Sequence, residues 1–214
     1  MLPDLNLLLG GLGSRPSKLV PTIVPLRGPA GMTRHIFDNT SFGTANNEDD
    51  WYLRVPLADT FYYDGVGYNA VYVSTNAYIT FGAGSVVYYG LQYNQPPVPT
   101  LHFGSADNSC QTLWYGTVGS GSKRATFIRY EGTAAIHRNT SSPNIIIEWY
   151  FYAGSLMTCV IGQHARLSGF WGWSNGSTGV SGMAPGPAFS MTSYGYESFD
   201  LGSNWSYRNG SADP

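Results

Sequence analysis

The chain has 214 residues, enough for one β domain with a tail, and only 11% of them are charged, against about 25% in a typical soluble protein. Its net charge of −2 and its scattered lysines and arginines exclude electrostatic capture of nucleic acid. No apolar run approaches the roughly 18 residues of a membrane-spanning helix, so we expect no membrane span. The 15% aromatic content, 27 glycines and 13 prolines predict strands joined by tight turns.

Residues 1–34 differ in composition from the rest of the chain. They are rich in leucine, valine and isoleucine and contain five prolines, Pro3, Pro16, Pro21, Pro25 and Pro29. Proline removes a backbone donor and favours an extended conformation in the residue before it, which disfavours a long helix or an internal strand. Asp4 stands where a secretory signal would carry positive charge, so no signal peptide is predicted. We predict an extended tether arm over residues 1–34.

The apolar side chains of this arm need a surface that covers them, because such a composition does not suit solvated disorder. The predicted partner-binding residues are Leu5, Leu7, Leu8, Leu9, Leu12, Leu19, Val20, Ile23, Val24 and Leu26. Basic residues outnumber Asp4 in the arm, so we expect a neutral or acidic acceptor on a neighbouring protein. The alternative is an arm that folds back onto its own domain.

The clearest strand pattern runs from Tyr68 to Phe81. Alternate positions place Val71, Val73, Thr75, Ala77, Ile79 and Phe81 on one face. A period of two is typical of a half-buried strand, and a break near Ser74–Asn76 would divide it into two strands.

Further strands are predicted over residues 123–130, 144–153, 156–162 and 167–173, with a last one near Phe199, Leu201 and Trp205. A long loop is expected at residues 94–99. Short strands at this spacing, without helical periodicity, predict an all-β antiparallel β-sandwich, jelly-roll-like, over residues 35–207. Residues 208–214 are expected to be a C-terminal tail.

The segment FYYDGVGYNAVYVSTNAYITFG resembles the opening of nidogen-like adhesive β domains. The matching residues are Phe61, Tyr63, Tyr68, Val71, Tyr72, Val73, Ser74, Asn76, Ile79 and Phe81, and Ala77 stands where that family often has glycine. The later segments ATFIRYEG, NIIIEWYFYAG and GFWGWSNGS resemble the family's following strands and turn, so the resemblance covers residues 60–180. It implies a sandwich used in adhesion or assembly, without catalysis.

Chemically reactive residue types form no recognisable catalytic pattern. His35, His102, His137 and His164 lack metal-ligand spacing. Glu148 is the one acid in a strongly apolar setting, and a cross-strand partner such as Arg129 or Arg124 is its expected role. We predict no enzyme activity and no cofactor.

Two further features of the sequence concern metal ions and thiols. The acidic run Glu48–Asp50 is expected to be a solvated turn, with a Ca²⁺ loop as the alternative. No metal site is therefore predicted. Cys110 and Cys159 are expected to be buried thiols rather than a disulfide.

Four aromatic residues are candidates for binding glycans or a protein interface. Trp171 and Trp173 flank Gly172 and share a face, while Tyr72 and Tyr78 lie opposite the valine face of their strand. Aromatic rings stack on sugars and anchor interfaces. The alternative is that these rings fill the core of the sandwich.

Together these features predict a virion structural protein, either a capsid decoration protein or a tail component. It would dock through its N-terminal arm on other virion proteins and associate with copies of itself, with host surface glycans as further candidate partners. The alternative is an extracellular adhesive or carbohydrate-binding module.

Overall fold

The computed structural model describes residues 26–37, 49–63, 65–87, 98–134, 142–164, 170–175, 181–183 and 204–207, and from residue 163 onward the backbone alone. These residues form two antiparallel sheets, which confirms the predicted all-β sandwich. Sheet 1 contains, in spatial order, β1 (Thr33–Ile36), β6 (Ser109–Val118), β7 (Ala125–Thr133), β8 (Ile145–Tyr152), β9 (Met157–His164) and β12 (Asn204–Tyr207). Sheet 2 contains β11 (Ser181–Met183), β10 (Phe170–Asn175), β5 (Pro99–Ser105), β4 (Tyr78–Phe81), β3 (Val66–Ser74) and β2 (Tyr52–Tyr63).

Neighbouring strands mostly follow one another in the chain. Strands β2 to β5 form one meander, β6 to β9 form the other, and β10 returns to pair with β5. A jelly roll interleaves distant strands in two Greek keys, so this molecule shares the two layers of that fold but not its strand order. A single-turn 3₁₀ helix, Gly121–Lys123, joins β6 to β7.

The core lies between the sheets and is built from alternate residues of each strand. Val71, Val73, Ile79 and Phe81 are fully buried on one face, as their spacing predicts. On the side of sheet 1, the core contains Trp149 of β8, which is the largest fully buried side chain among the described residues. Burying one Val, Ile or Phe side chain contributes about 1.5–3 kcal/mol, so each of these core residues contributes to the stability of the fold.

The predicted break in the 68–81 segment is a turn over residues 75–77. Ala77 has φ +58, a left-handed conformation, and its amide donates to the Ser74 carbonyl. The Tyr130 hydroxyl of β7 donates to the Thr75 carbonyl at 2.6 Å, deep in the interior. This hydrogen bond ties the turn of sheet 2 to the middle of sheet 1.

One side of the sandwich is closed by strand β2. The Tyr62 amide donates to the Gly154 carbonyl at 2.7 Å, and the Gly154 amide donates to the Thr60 carbonyl at 3.2 Å. The Ala58 amide donates to Thr126 Oγ1 of β7 at 2.7 Å. The outer backbone groups of this edge strand are therefore bonded to sheet 1 over this stretch, which protects an edge that could otherwise recruit another chain.

The predicted strands at 123–130, 144–153, 156–162 and 167–173 correspond to β7, β8, β9 and β10. Strand β12 contains Trp205, whereas Phe199 and Leu201 lie outside the described residues. The tail at 208–214 and residues 94–97 of the predicted loop at 94–99 also lie outside them. Cys110 and Cys159 are both buried and unbridged, as expected. No helix among the described residues is long and apolar enough to cross a membrane.

Candidate functional site

Residues 26–32, called the strap below, cross the outer face of sheet 1 from β9 to β6. At one end, the Leu26 side chain occupies the space in which a Cβ atom at Gly162 of β9 would lie. At the other end, the Met32 Sδ atom lies 2.8 Å from the Cβ position that Gly116 of β6 lacks. The two glycines therefore allow the strap to lie close against the sheet, and the chain then enters β1.

Two arginines of the N-terminal region lie over aromatic rings of the same outer face. The Arg27 guanidinium carbon is 5.4 Å from the ring centroid of Phe127, and that of Arg34 is 5.2 Å from the ring of Trp114. Such cation–π contacts contribute about 0.5–1 kcal/mol at exposed sites. They hold the strap and the edge strand against sheet 1 through rings that the core does not use.

The Glu148 carboxylate is the central anchor of the strap. It is fully buried, and its two oxygens accept the backbone amides of Arg27 and Gly28, each at 2.7 Å. Arg129 Nη1 donates to the same carboxylate at 2.9 Å and the Tyr150 hydroxyl donates at 3.0 Å. Gly28 has φ +77, which favours glycine at the point where both amides face the carboxylate.

The charge network extends along β7. Arg129 Nε donates to Glu131 Oε1 at 2.7 Å, and the Trp114 indole donates to Glu131 Oε2 at 3.2 Å. Burial lowers the pKa of Arg129, but its hydrogen bonds to Glu131 and Glu148 outweigh this and leave the pKa raised. Burial and the charge of Glu148 raise the pKa of Tyr150, so this hydroxyl stays a donor at neutral pH.

The expected pairing of Glu148 with a cross-strand arginine is confirmed for Arg129, which lies directly opposite it in the register of β7 and β8. Arg124 instead pairs with Asp59 at 3.1 Å. A buried carboxylate that loses one partner costs about 3–5 kcal/mol, so the complete set of four donors explains why a charge is tolerated here. The two strap amides are donors that no side-chain pattern reveals.

The predicted arm is thus divided by the structure. Leu26 contacts Gly162 of its own chain, and Thr33 and Arg34 already belong to β1. The other residues predicted to bind a partner lie outside the described residues: Leu5, Leu7, Leu8, Leu9, Leu12, Leu19, Val20, Ile23 and Val24. The last nine residues of the arm are therefore a base fixed to the sandwich, and partner binding by residues 1–25 stays a prediction.

Tyr72 lies half-buried on the outer face of sheet 2, on the side opposite the valines, as predicted. Its ring meets that of Tyr52 edge to face with 5.7 Å between centroids, and Tyr52 stacks on Trp51 at 5.8 Å. The Tyr52 ring also occupies the space of a Cβ at Gly84. These three rings form an aromatic cluster at the N-terminal end of β2.

The prediction that Tyr78 offers a surface aromatic ring is wrong. Tyr78 is fully buried, because the chain after β4 folds over this part of the outer face and its hydroxyl donates to the carbonyls of Ser85 and Val87, each at 2.9 Å. Burial raises the pKa of Tyr78 to about 12. His102 of β5 lies beside it, and burial lowers the pKa of this imidazole to about 3. The Tyr78 ring is therefore part of the packed interior and not a surface for binding.

Trp171 and Trp173 lie in β10, in register with Phe103 and Leu101 of β5. Their side chains lie outside the described part of the chain, so their role as glycan or interface residues stays a prediction.

Three carboxylates meet at the end of the sandwich where the 75–77 turn lies. One oxygen from each of Asp49, Asp50 and Asp107 lies within 4.8 Å of the others. Asn76 donates to Asp50 at 2.9 Å and accepts the Asn108 amide at 2.8 Å, which links the two loops. Asp49 is 1% exposed, so the expected solvated turn is wrong at this position. Oxygen ligands of this kind suit a divalent cation.

No known protein-family model matches the chain. Neither a curated protein nor a solved structure matches it. The class defined by the fold is therefore an antiparallel β-sandwich with a strap on its outer face, and the resemblance to nidogen-like modules stays a prediction.

Proposed function

We propose that the protein is a structural subunit of a virion, as a capsid decoration or tail component, that docks through its N-terminal arm and associates with copies of itself. The observation that carries this proposal is the strap. Its Glu148 anchor fixes Leu26, the residue that follows the predicted docking segment 1–25, on the outer face beside β9. An apolar segment that starts from a rigid base is well placed to bind a neighbouring subunit.

Charge supports the same proposal. Residues 1–25 carry two basic and one acidic side chain, whereas residues 26–214 carry nine basic and twelve acidic ones. Residues 1–25 are therefore net positive at +1 and the remainder net negative at −3, so a second copy presents a complementary field. The low charge of the whole surface suits a protein that is partly covered by partners.

The test is a deletion of residues 1–25 that keeps the strap. The cut must stop before Arg27, because a longer deletion would remove two of the four donors to the buried Glu148 carboxylate. We expect the shortened protein to keep its β-sheet circular dichroism and its melting temperature, yet to remain monomeric and fail to enter particles. Self-association equal to that of the full chain would refute docking through the arm.

A second candidate function is glycan binding, favoured by Tyr52 and Tyr72 on the outer face of sheet 2, with Trp51 stacked on Tyr52. Half-buried rings of this kind stack on sugar faces. A glycan array with the wild type and with Tyr72→Ala and Trp171→Ala tests it. Binding that Tyr72→Ala abolishes would support the cluster as the site, and the absence of any bound glycan would remove this function.

A further inference from the structure

If residues 19–25 form a strand, the positions of its prolines leave only one of its two edges with a full set of backbone hydrogen-bond donors. In an extended strand, residues two apart direct their backbone groups to the same edge, and Pro21 and Pro25 are four apart. One edge of residues 19–25 therefore lacks two donors, whereas Val20, Thr22 and Val24 keep theirs on the other edge. Proline within sheets is confined to such edge positions, and Val, Ile and Thr favour strands.

Strand β1 offers an edge with matching groups. It pairs on one side with β6, and no described strand pairs with its other side. The Phe37 amide donates to the Gln111 carbonyl of β6, so by alternation Arg34 and Ile36 direct their backbone groups outward. The Ile36 side chain is 52% exposed, so the described residues leave it uncovered.

The arm cannot reach the β1 edge of its own chain. Leu26 is held at Gly162 of β9, and four strand spacings, or about 19 Å, separate β9 from β1. Val24 is two residues from Leu26 and so lies within about 7 Å of it even when the chain is fully extended. If residues 20–24 form a strand on a β1 edge, that edge must therefore belong to another copy.

We propose that residues 20–24 of one copy add as an edge strand to β1 of a second copy, pairing with the outward backbone groups of Arg34 and Ile36. This deepens the proposed function and rests on it. The arm leaves from the β9 side of sheet 1 and the acceptor lies at its opposite edge, so the contact is head-to-tail. Such contacts produce rings or filaments rather than two-fold dimers. The donor-poor edge of the added strand then faces outward and recruits no further strand.

The test uses proline substitutions in the full-length protein and measures self-association by sedimentation velocity. Thr22→Pro removes a donor from the pairing edge, and we expect association weakened about tenfold or more, the effect of one unsatisfied hydrogen bond. Pro21→Ala is the matched control, because it changes only the edge that faces outward and Pro21 is not one of the residues predicted to bind a partner, so it should associate at least as strongly as the wild type. Equal effects of the two substitutions would overturn the proposal.

The acceptor is tested with Ile36→Pro, which removes an outward amide without breaking a bond to β6. We expect this variant to be folded and monomeric alone, since it keeps a donor arm but lacks an acceptor. Mixed with Thr22→Pro, which keeps the acceptor, it should form dimers that grow no further. If Ile36→Pro self-associates as strongly as the wild type, the proposal is overturned and the acceptor is another edge, such as that of β12.

These outcomes separate the two proposals. If the deletion of residues 1–25 abolishes association but Thr22→Pro, the control variant and Ile36→Pro all associate like the wild type, the arm docks on another surface and only the present inference fails. If that deletion leaves association unchanged, docking through the arm fails and the strand addition fails with it.

Discussion

The side chain of Leu26 fills the volume that a Cβ atom at Gly162 would need. Gly162→Ala should therefore push the strap away from β9 and lower the free energy of unfolding by about 1–3 kcal/mol, as overpacking usually does. Leu26→Ala frees that volume, so in the double variant Gly162→Ala should be nearly neutral. A double-mutant cycle by urea denaturation measures this coupling, and additive effects would show that the two residues are not in contact.

Glu148→Gln should detach the strap. The amide replaces one carboxylate oxygen with a donor and removes one of the two carboxylates that pair with Arg129, so we expect a loss of about 3–5 kcal/mol in the free energy of unfolding. Trypsin should then cut the Arg27–Gly28 peptide bond faster, because the hydrogen bonds of these two residues to Glu148 no longer hold it against the sheet. Mass spectrometry of timed digests follows this cleavage.

The matched control is Asp59→Asn, which breaks the surface pair with Arg124, whose side chains are 30% and 45% exposed. An exposed pair contributes about 0–1 kcal/mol, so stability and cleavage after Arg27 should barely change. If Glu148→Gln were cut no faster than this control, the carboxylate would not be what holds the strap.

Acid should destabilise the protein through His102. Its pKa is lowered from 6.5 to about 3 by burial, so the folded state binds fewer protons than the unfolded state between these values. Stability is full above pH 6.5 and falls by up to about 1.4 kcal/mol per unit as the pH drops below it. His102→Gln cannot take up this proton and should show a shallower decline between pH 6.5 and 4. Parallel stability curves for the two proteins would contradict the assignment.

Ala77 is fully buried at φ +58. Ala77→Val places a β-branched residue in a left-handed conformation and adds volume to the core, so we expect a loss of at least about 2 kcal/mol. Ala77→Gly relieves about 1–2 kcal/mol of backbone strain and loses about 0.8 kcal/mol from the buried methyl group, so it should stay near the wild type or slightly above it. Thermal unfolding of the two variants ranks them, and a stable Ala77→Val protein would contradict the turn geometry.

The sequence predicted strands at the positions of β3, β4, β7 to β10 and β12, and none at β1, β2, β5, β6 or β11. The segment 68–81 alternates because one face packs in the core. A partner for Glu148 was expected at Arg129 or Arg124 of the predicted neighbouring strand, and Arg129 is the one that lies opposite it. Strand β5 was missed because its alternation is short, Leu101 and Phe103 against Thr100 and His102, and it is flanked by Pro99 and Gly104. Strand β2 was missed because Arg54, Pro56 and Asp59 interrupt its apolar pattern.

The main features of the candidate site were hidden for different physical reasons. The strap is held by backbone amides, which every residue except proline carries, so no residue type marks them. Asp107 joins Asp49 and Asp50 only because the turn before β6 lies beside the start of β2, and sequence distance conceals this contact. Tyr78 alternated as a surface residue would, but the chain that follows β4 covers it.

The orientation of the strap has a mechanical consequence. If a bound neighbour pulls on the arm, tension enters the chain at Leu26 and loads the bonds from Arg27 and Gly28 to Glu148 before it reaches any strand. These few contacts would yield first and lengthen the tether, before any strand separates from sheet 1 or sheet 2. Detachment of the strap would then absorb the extension and leave the sandwich folded when the assembly is under tension.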